Sequence, residues 1–139
     1  ILNTSYKVGG EVVERFEETP IVLSPSVIAA SDLTYEPLKG LKASLQSKYV
    51  GEQYLDNTVS DSRKLEDYLL NNVRLSYTLS DVSLFEEMTA RLSVNNILNV
   101  RYANNGYTFA TRQEGKVSHF NYYYPQAGRN YMGSLSIGF

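Results

Sequence analysis

A regular alternation of apolar and polar residues is the feature that most restricts the fold of this 139-residue sequence. Successive side chains of a β-strand point to opposite faces, so an apolar residue at every second position predicts a strand with one apolar face. Five runs show the alternation clearly, and a sixth over residues 2–13 is weaker because Gly9 and Gly10 interrupt it. The apolar positions of the five runs are Val27, Ala29, Leu33 and Tyr35; Leu41, Ala43, Leu45 and Tyr49; Val73, Leu75, Tyr77 and Leu79; Met88, Ala90, Leu92 and Val94; and Tyr131, Gly133, Leu135, Ile137 and Phe139. The sequence therefore predicts an all-β fold, an antiparallel meander of about six strands.

The opposite face of these strands is polar and carries charges in mid-strand, at Lys42, Lys48, Arg74 and Arg91. Each run has about 9–11 residues, the length that a tilted strand needs to cross a bilayer. Two architectures fit this pattern: a soluble sheet with one wet face, or a barrel that is apolar outside and wet inside. Alternation alone does not separate them.

The connections between the runs alternate in length, which favours the barrel. Residues 36–40 form a tight turn with Pro37 and Gly40, and residues 80–87 are a second short connection. Residues 53–67 and 101–130 are long and polar. Short turns on one side and long loops on the other are typical of outer-membrane barrels. Tyrosines near the strand ends suit the aromatic girdles of such a barrel, although in a soluble sheet they would serve as cross-strand pairs.

Composition excludes several other classes of protein. A net charge of -2 removes the electrostatic case for a nucleic-acid partner, and the lack of cysteine excludes a disulfide framework and a thiolate zinc site. No run of 18 apolar residues is present, so no transmembrane helix is predicted. His119 is the only histidine and no nucleophile-elbow motif occurs. We therefore predict neither an enzyme nor a cofactor or metal site.

Several blocks of the sequence resemble, in order, the late barrel strands of TonB-dependent outer-membrane receptors. They are Ser24-Pro25-Ser26, the run LTYEPLKGL at 33–41, SKYVGEQYLDNT at 47–58, VNNILN at 94–99 with Tyr102, NGYT at 105–108, and YPQAGRNY at 124–131. The last run also resembles the C-terminal signal that the barrel-assembly machinery recognises in outer-membrane proteins. Its assembly-signal positions are Tyr131, Leu135, Ile137 and Phe139.

This resemblance implies a fold, a function and a location. Members of the family are 22-stranded transmembrane β-barrels filled by an N-terminal plug, and they import scarce nutrients such as a siderophore, vitamin or glycan with energy passed on by TonB. Residues 1–139 would then be the C-terminal portion of such a barrel, in the outer membrane of a Gram-negative bacterium. The implied partners are outer-membrane lipid, the plug and remaining strands of the same receptor, the barrel-assembly machinery, a small-molecule nutrient, and TonB through an N-terminal region that this sequence lacks. About six strands cannot close a barrel by themselves, so a fragment is expected to leave two sheet edges unpaired.

Placing Phe139 at the periplasmic side makes both long connections external, and the longer one is the candidate ligand surface. Aromatic faces with cationic donors suit sugars, catecholate siderophores or other flat anionic ligands. The candidate ligand-binding residues are Tyr107, Phe109, Arg112, His119, Tyr122, Tyr123, Tyr124 and Arg129, and the same loop contains Phe120. The alternative is that these tyrosines form the core of a self-packed loop. The alternative for the whole chain is a soluble or adhesive ligand-binding β-domain without a role in transport.

Overall fold

The protein is built from β-strands. A computed structural model describes residues 2–8, 11–82 and 85–139, with eleven strands and no helix in those ranges. None of the described segments is therefore a helix long and apolar enough to span a membrane. The strands are β1 (Leu2–Val8), β2 (Glu11–Thr19), β3 (Ile28–Leu38), β4 (Leu41–Val50), β5 (Gln53–Tyr54), β6 (Lys64–Leu65), β7 (Tyr68–Val82), β8 (Phe85–Asn95), β9 (Ala103–Gln113), β10 (Lys116–Pro125) and β11 (Asn130–Gly138).

The chain divides into two compact units. The first, here called the hairpin unit, comprises Ile1–Val27, Val50–Asp67 and Tyr102–Gln126. The second, the sheet unit, comprises Ile28–Tyr49, Tyr68–Arg101 and Ala127–Phe139. The hairpin unit contains three two-stranded pairs, β1–β2, β5–β6 and β9–β10.

The sheet unit is a single five-stranded antiparallel sheet with the order β11-β8-β7-β4-β3. Its register places Leu75 opposite Leu92, and Ala90 between Tyr77 and Leu135. Apolar residues of neighbouring strands therefore share one face, as the alternation predicted. The all-β, antiparallel prediction is confirmed, but with five strands in this sheet: the weak run near the start of the chain lies in β1 and β2, which pair with each other.

The two ends of this sheet differ in their connections. At one end β3 and β4 are joined by Lys39 and Gly40 alone, and the edge strand β3 accommodates Pro37, which cannot donate a ladder hydrogen bond. At the other end lie Asn95 and Asn130, which face each other in register where the longer connection begins and ends. The predicted short connection at 80–87 includes residues 83 and 84, which lie outside the described residues, as do Gly9 and Gly10.

The predicted long loop at 101–130 is largely a β-hairpin. Gln113 pairs with Lys116 across a two-residue turn in which Glu114 and Gly115 both have positive φ, 51° and 81°. Two positive φ values in a two-residue turn match the right-handed twist of the flanking strands. Beside this hairpin, the buried apolar side chains of the hairpin unit are Val50, Leu55 and Leu65.

Gly40 provides a test of the turn that joins β3 to β4. Its φ is +81°, and a Cβ there would overlap the carbonyl oxygen of Thr78 in β7, whose N–H donates to the Gly40 oxygen at 2.8 Å. We expect Gly40→Ala to lower the free energy of unfolding of the sheet by about 2–4 kcal/mol, through backbone strain and steric overlap together. The measurement is denaturant unfolding followed by circular dichroism.

Gly115→Ala is the matched control for this substitution. Gly115 has the same φ of +81°, but nothing lies within 4 Å of the position a Cβ would take. Only the cost of a positive φ applies there, about 1 kcal/mol. Equal losses in the two variants would contradict the claim that contact with β7 makes Gly40 necessary.

Candidate functional site

Five aromatic rings lie on one face of the β9–β10 hairpin. Tyr107 pairs with Tyr122 and Phe109 with Phe120 in the strand register, and strand alternation adds Tyr124 to the same face. We call Tyr107, Phe109, Phe120, Tyr122 and Tyr124 the aromatic face.

The rings of the aromatic face form a continuous, nearly parallel series. The centroids of Tyr107 and Tyr122 are 5.1 Å apart at an interplanar angle of 10°, and those of Phe109 and Phe120 are 5.4 Å apart at 23°. Tyr122 links the two pairs, 5.9 Å from Phe109 at 8°. Tyr124 lies at the end of the series, 6.2 Å from Tyr107 and tilted by 41°. Each such contact stabilises the hairpin by about 0.5–1.5 kcal/mol.

All five rings are nevertheless about half exposed, so the face is accessible as well as structural. Exposed aromatic groups that are already ordered are suited to binding, because little side-chain freedom is lost when a ligand docks. The rings therefore pack on one another and also present an exposed surface, and ligand binding by that surface stays a prediction.

The opposite face of the hairpin is anchored to the rest of the hairpin unit. Gly106 is buried, and a Cβ there would lie 3.1 Å from Cδ2 of Leu55 and 3.5 Å from Cδ2 of Leu65. Asn121 Nδ2 donates to the carbonyl oxygen of Ser62 at 2.7 Å. The lack of a side chain at Gly106 therefore allows β9 to lie close to Leu55 and Leu65.

Residues 52–65, which contact the hairpin, are themselves stabilised by ion pairs. Arg63 Nε lies 2.6 Å from Asp56 Oδ2, and the Asp56 carboxylate also accepts from the backbone N–H of Thr58 at 3.0 Å. Lys64 Nζ donates to Glu52 Oε2 at 2.9 Å. That hydrogen bond and the negative charge of Glu52 raise the pKa of the Lys64 ammonium, so Lys64 is charged at physiological pH.

The structure brings together only part of the predicted ligand-binding set. Tyr107, Phe109, Tyr122 and Tyr124 share the aromatic face, whereas His119 and Tyr123 alternate onto the opposite face. Arg112 pairs with Val117 in the register, and its side chain lies outside the described residues. Arg129 belongs to the sheet unit.

Phe120 is the member of the aromatic face that the predicted set omits. The signal that identifies it is the alternation of aromatic residues in both arms of the hairpin, at 107 and 109 and again at 120, 122 and 124, around a turn at Glu114 and Gly115. The strand positions on this face run from 105 to 113 in β9 and from 116 to 124 in β10. Lys116 is the one charged residue among them.

In the sheet unit, two asparagines hold the ends of the longer connection together. Asn96 is 4% exposed, and its side chain accepts from the N–H of Val100 and donates to the carbonyl oxygens of Val100 and Ala127, at 2.9, 2.9 and 3.4 Å. Asn99 Oδ1 accepts from the N–H of Arg129 at 2.9 Å. Both asparagines have positive φ, 52° and 54°, a conformation that asparagine tolerates better than most residues.

The charges predicted for the polar face lie where the alternation puts them. Lys42, Arg91, Glu36 and Glu87 line a cleft of about 620 Å³ on that face. Farther along the same face, Gln46 Nε2 donates to Asp32 Oδ2 at 2.8 Å. Lys48 and Arg74 are also exposed there.

The predicted assembly-signal residues lie on the apolar side of β11. Tyr131, Leu135 and Ile137 pair with Val94, Ala90 and Met88. All three are exposed in this chain, as is Phe139. Their role in assembly stays a prediction.

The described residues contain no group of three or more His, Cys, Asp or Glu side chains arranged to hold a metal ion. Among known proteins, no family profile, no curated protein and no solved structure matches the chain.

Asn96 provides a test of how the longer connection is held. We expect Asn96→Ala to lower the free energy of unfolding by about 2–4 kcal/mol, because three hydrogen bonds of the buried Asn96 side chain to the backbone of Val100 and Ala127 are lost and alanine takes the positive φ less readily. Thermal and denaturant unfolding measure the loss. Asn95→Ala is the control: it removes one exposed hydrogen bond, to Asn130 Oδ1 at 2.9 Å, and we expect a loss below about 1 kcal/mol. An Asn96→Ala variant as stable as Asn95→Ala would contradict this account.

Proposed function

We propose that the chain is the C-terminal part of the barrel wall of a TonB-dependent outer-membrane receptor, which captures a scarce nutrient outside the cell and imports it. The observation that carries the proposal is the sheet unit itself. It is one layer of five antiparallel strands with an exposed apolar face on one side and charged residues on the other.

The apolar face requires a cover that residues 2–8, 11–82 and 85–139 do not supply. Leu33, Leu75, Leu92 and Leu135, from four different strands, are all exposed on that face. Monomeric soluble proteins rarely expose a contiguous apolar surface of more than a few hundred Å². The acyl chains of a bilayer supply such a cover over the whole width of a sheet, and strands of 9–15 residues are long enough to cross it when tilted.

The polar face suits the inside of a large barrel. Lys42, Arg74 and Arg91 are exposed there, which is costly against lipid but favourable towards a wet lumen or a polar plug. Within the described ranges, β3 and β11 each pair on one side only. In the proposed barrel these two edges continue the hydrogen-bonded wall into the remaining strands.

The distribution of turns and aromatic residues agrees with an orientation in which Phe139 and the short turn at Lys39 and Gly40 lie on the periplasmic side. The two-residue turn at Lys39 and Gly40 lies at one end of the sheet, where periplasmic turns are short, and the longer connection leaves from the other end. Tyr35 and Tyr131 lie towards opposite ends, as residues of two interfacial girdles do. The β9–β10 hairpin then belongs to the external side, and its aromatic face is the part that captures the ligand.

Adjacent positions in β7 test this proposal, because the chain contributes no cysteine of its own. Leu75 pairs with Leu92 on the apolar face, and Ser76 pairs with Arg91 on the polar face. Leu75→Cys and Ser76→Cys are introduced singly into the intact protein and spin-labelled in isolated outer membranes. We expect the label at 75 to be relaxed by oxygen, which concentrates in lipid, and the label at 76 by an aqueous nickel chelate.

The same measurement distinguishes the alternative of a soluble or adhesive domain. In that case the protein is absent from the outer-membrane fraction, or the label at 75 is shielded by protein from both relaxing agents. Either result would contradict the receptor proposal. Leu92→Cys and Arg91→Cys on the paired strand repeat the comparison and guard against an effect confined to one position.

A further inference from the structure

We propose that the aromatic face of the β9–β10 hairpin binds an uncharged oligosaccharide. The inference rests on the proposed receptor function, since it names the class of nutrient that the hairpin captures. It is drawn from three properties of the face: the orientation of the rings, the placement of the charges, and the spacing of the rings along the strands.

Ring orientation argues against a cationic ligand. Aromatic sites for ammonium groups surround the cation with ring faces set at different angles, so that several quadrupoles point at one charge. Here the four rings of Tyr107, Tyr122, Phe109 and Phe120 are nearly parallel, at interplanar angles of 8° to 23° for successive rings. At centroid distances of 5.1 to 5.9 Å these stacked rings are offset from one another, and each is about half exposed, so the series forms a ribbon along the hairpin rather than a cage.

Charge placement argues against an anionic ligand. The faces of aromatic rings carry partial negative charge, so an anion binds beside them only where cations provide charged hydrogen bonds. His119 lies on the opposite face of the hairpin. Among the described side chains, Lys116 is the only charged group on the aromatic face. It lies at the turn end of β10, four residues before Phe120.

An uncharged sugar satisfies the groups that remain. The C–H groups of a pyranose ring are weakly positive and stack on the negative face of an aromatic ring, while its hydroxyl groups need hydrogen-bond partners. Tyr107, Tyr122 and Tyr124 supply both, because each presents an aromatic ring with a hydroxyl at its tip. Thr111 and Ser118, paired across the hairpin on this face, add two more hydroxyls.

Ring spacing favours a chain of sugars over a single one. Side chains on one face of a strand recur about every 7 Å, and β10 presents three successive rings, at Phe120, Tyr122 and Tyr124. A ribbon of repeated aromatic positions provides similar contacts to successive units of an oligosaccharide. The hairpin is also held in place, by the Asn121–Ser62 hydrogen bond and the close approach at Gly106, so the ribbon is formed before the ligand arrives.

The test is calorimetric titration of the same intact protein, purified in a detergent that has no sugar head group, since such a head group would compete for the aromatic face. The probes are neutral hexasaccharides of α-glucan, β-glucan, β-mannan and β-xylan, with a hexagalacturonate and 2,3-dihydroxybenzoate as anionic probes. We expect saturable binding of at least one neutral hexasaccharide, weaker binding of its monosaccharide, and no comparable binding of either anion.

Substitutions on the two faces of the hairpin locate the binding. We expect Tyr122→Ala and Tyr124→Ala to weaken binding of that hexasaccharide by about tenfold or more. Tyr123→Ala is the matched control, since Tyr123 is 45% exposed against 47% for Tyr122 but lies on the opposite face, and we expect it to bind normally. Tyr124 is at the end of the ring series, so its removal disturbs the hairpin least, and Tyr122→Phe retains the ring while it removes the hydroxyl.

Three results would overturn the inference: no binding of any neutral hexasaccharide, binding equally weakened by Tyr123→Ala, or tighter binding of an anionic probe. Circular dichroism of each variant identifies any loss of fold. If Tyr122→Ala does not fold, Tyr122→Phe takes its place in the test, and we expect it to weaken binding by less than about tenfold because the ring is retained. The spin-label measurement at 75 and 76 is independent of these titrations. The two failures are therefore distinguishable: absence of sugar binding contradicts the sugar site alone, whereas absence of membrane insertion contradicts the receptor proposal on which that site rests.

Discussion

Removal of one apolar sheet face from water is the requirement on which the rest of this structure depends. The register of β7, β8 and β11 aligns apolar side chains across the strands, and in the described residues Leu75, Leu92 and Leu135 on that face are exposed. The few buried apolar side chains, such as Leu55 and Leu65, lie mainly in the hairpin unit. The sheet is therefore held by its hydrogen-bonded ladder and cross-strand pairs, and the favourable free energy of apolar burial has to come from a medium or partner along its face.

The connection between β8 and β11 shows how side-chain hydrogen bonds join a long excursion to such a sheet. Asn96 and Asn99 take the positive φ values of a tight turn and at the same time bond the backbone of Val100, Ala127 and Arg129. Side-chain amides thus satisfy backbone groups that no strand partner reaches. Hydrogen bonds therefore fix the positions at which residues 102–126 leave and rejoin the sheet unit. The fold of these residues depends instead on the β9–β10 pairing and on contacts within the hairpin unit.

Much of the sheet was predictable from the sequence, because strand periodicity depends only on neighbouring residues. The faces of β4, β7, β8 and β11 follow from it, as does the turn at Gly40. The β9–β10 hairpin is hard to distinguish from a loop in the sequence, because its turn is Glu114-Gly115 rather than the common Asn-Gly, and because the consecutive Tyr122, Tyr123 and Tyr124 obscure the alternation. The candidate site was only half predictable for the same reason: composition placed aromatic and cationic residues in one segment, and only the register shows that His119 and Tyr123 lie on the other face. One hydrogen-bond partner of the buried Asn96, the carbonyl oxygen of Ala127, lies more than thirty residues away in the sequence, which the local pattern does not reveal.

The glycine at 106 has a consequence for how this protein can change over evolutionary time. Because close approach at Gly106 and the Asn121 bond fix the hairpin through one side, residues on the other side contribute little to its attachment. Replacing a ring at 107, 109, 120, 122 or 124 alters the exposed surface and the pairing between rings, but leaves the attachment of the hairpin at Gly106 and Asn121 intact. Under the proposed sugar site, selection varies ligand preference in this segment one side chain at a time, while a single methyl group added at 106 would disturb every variant alike.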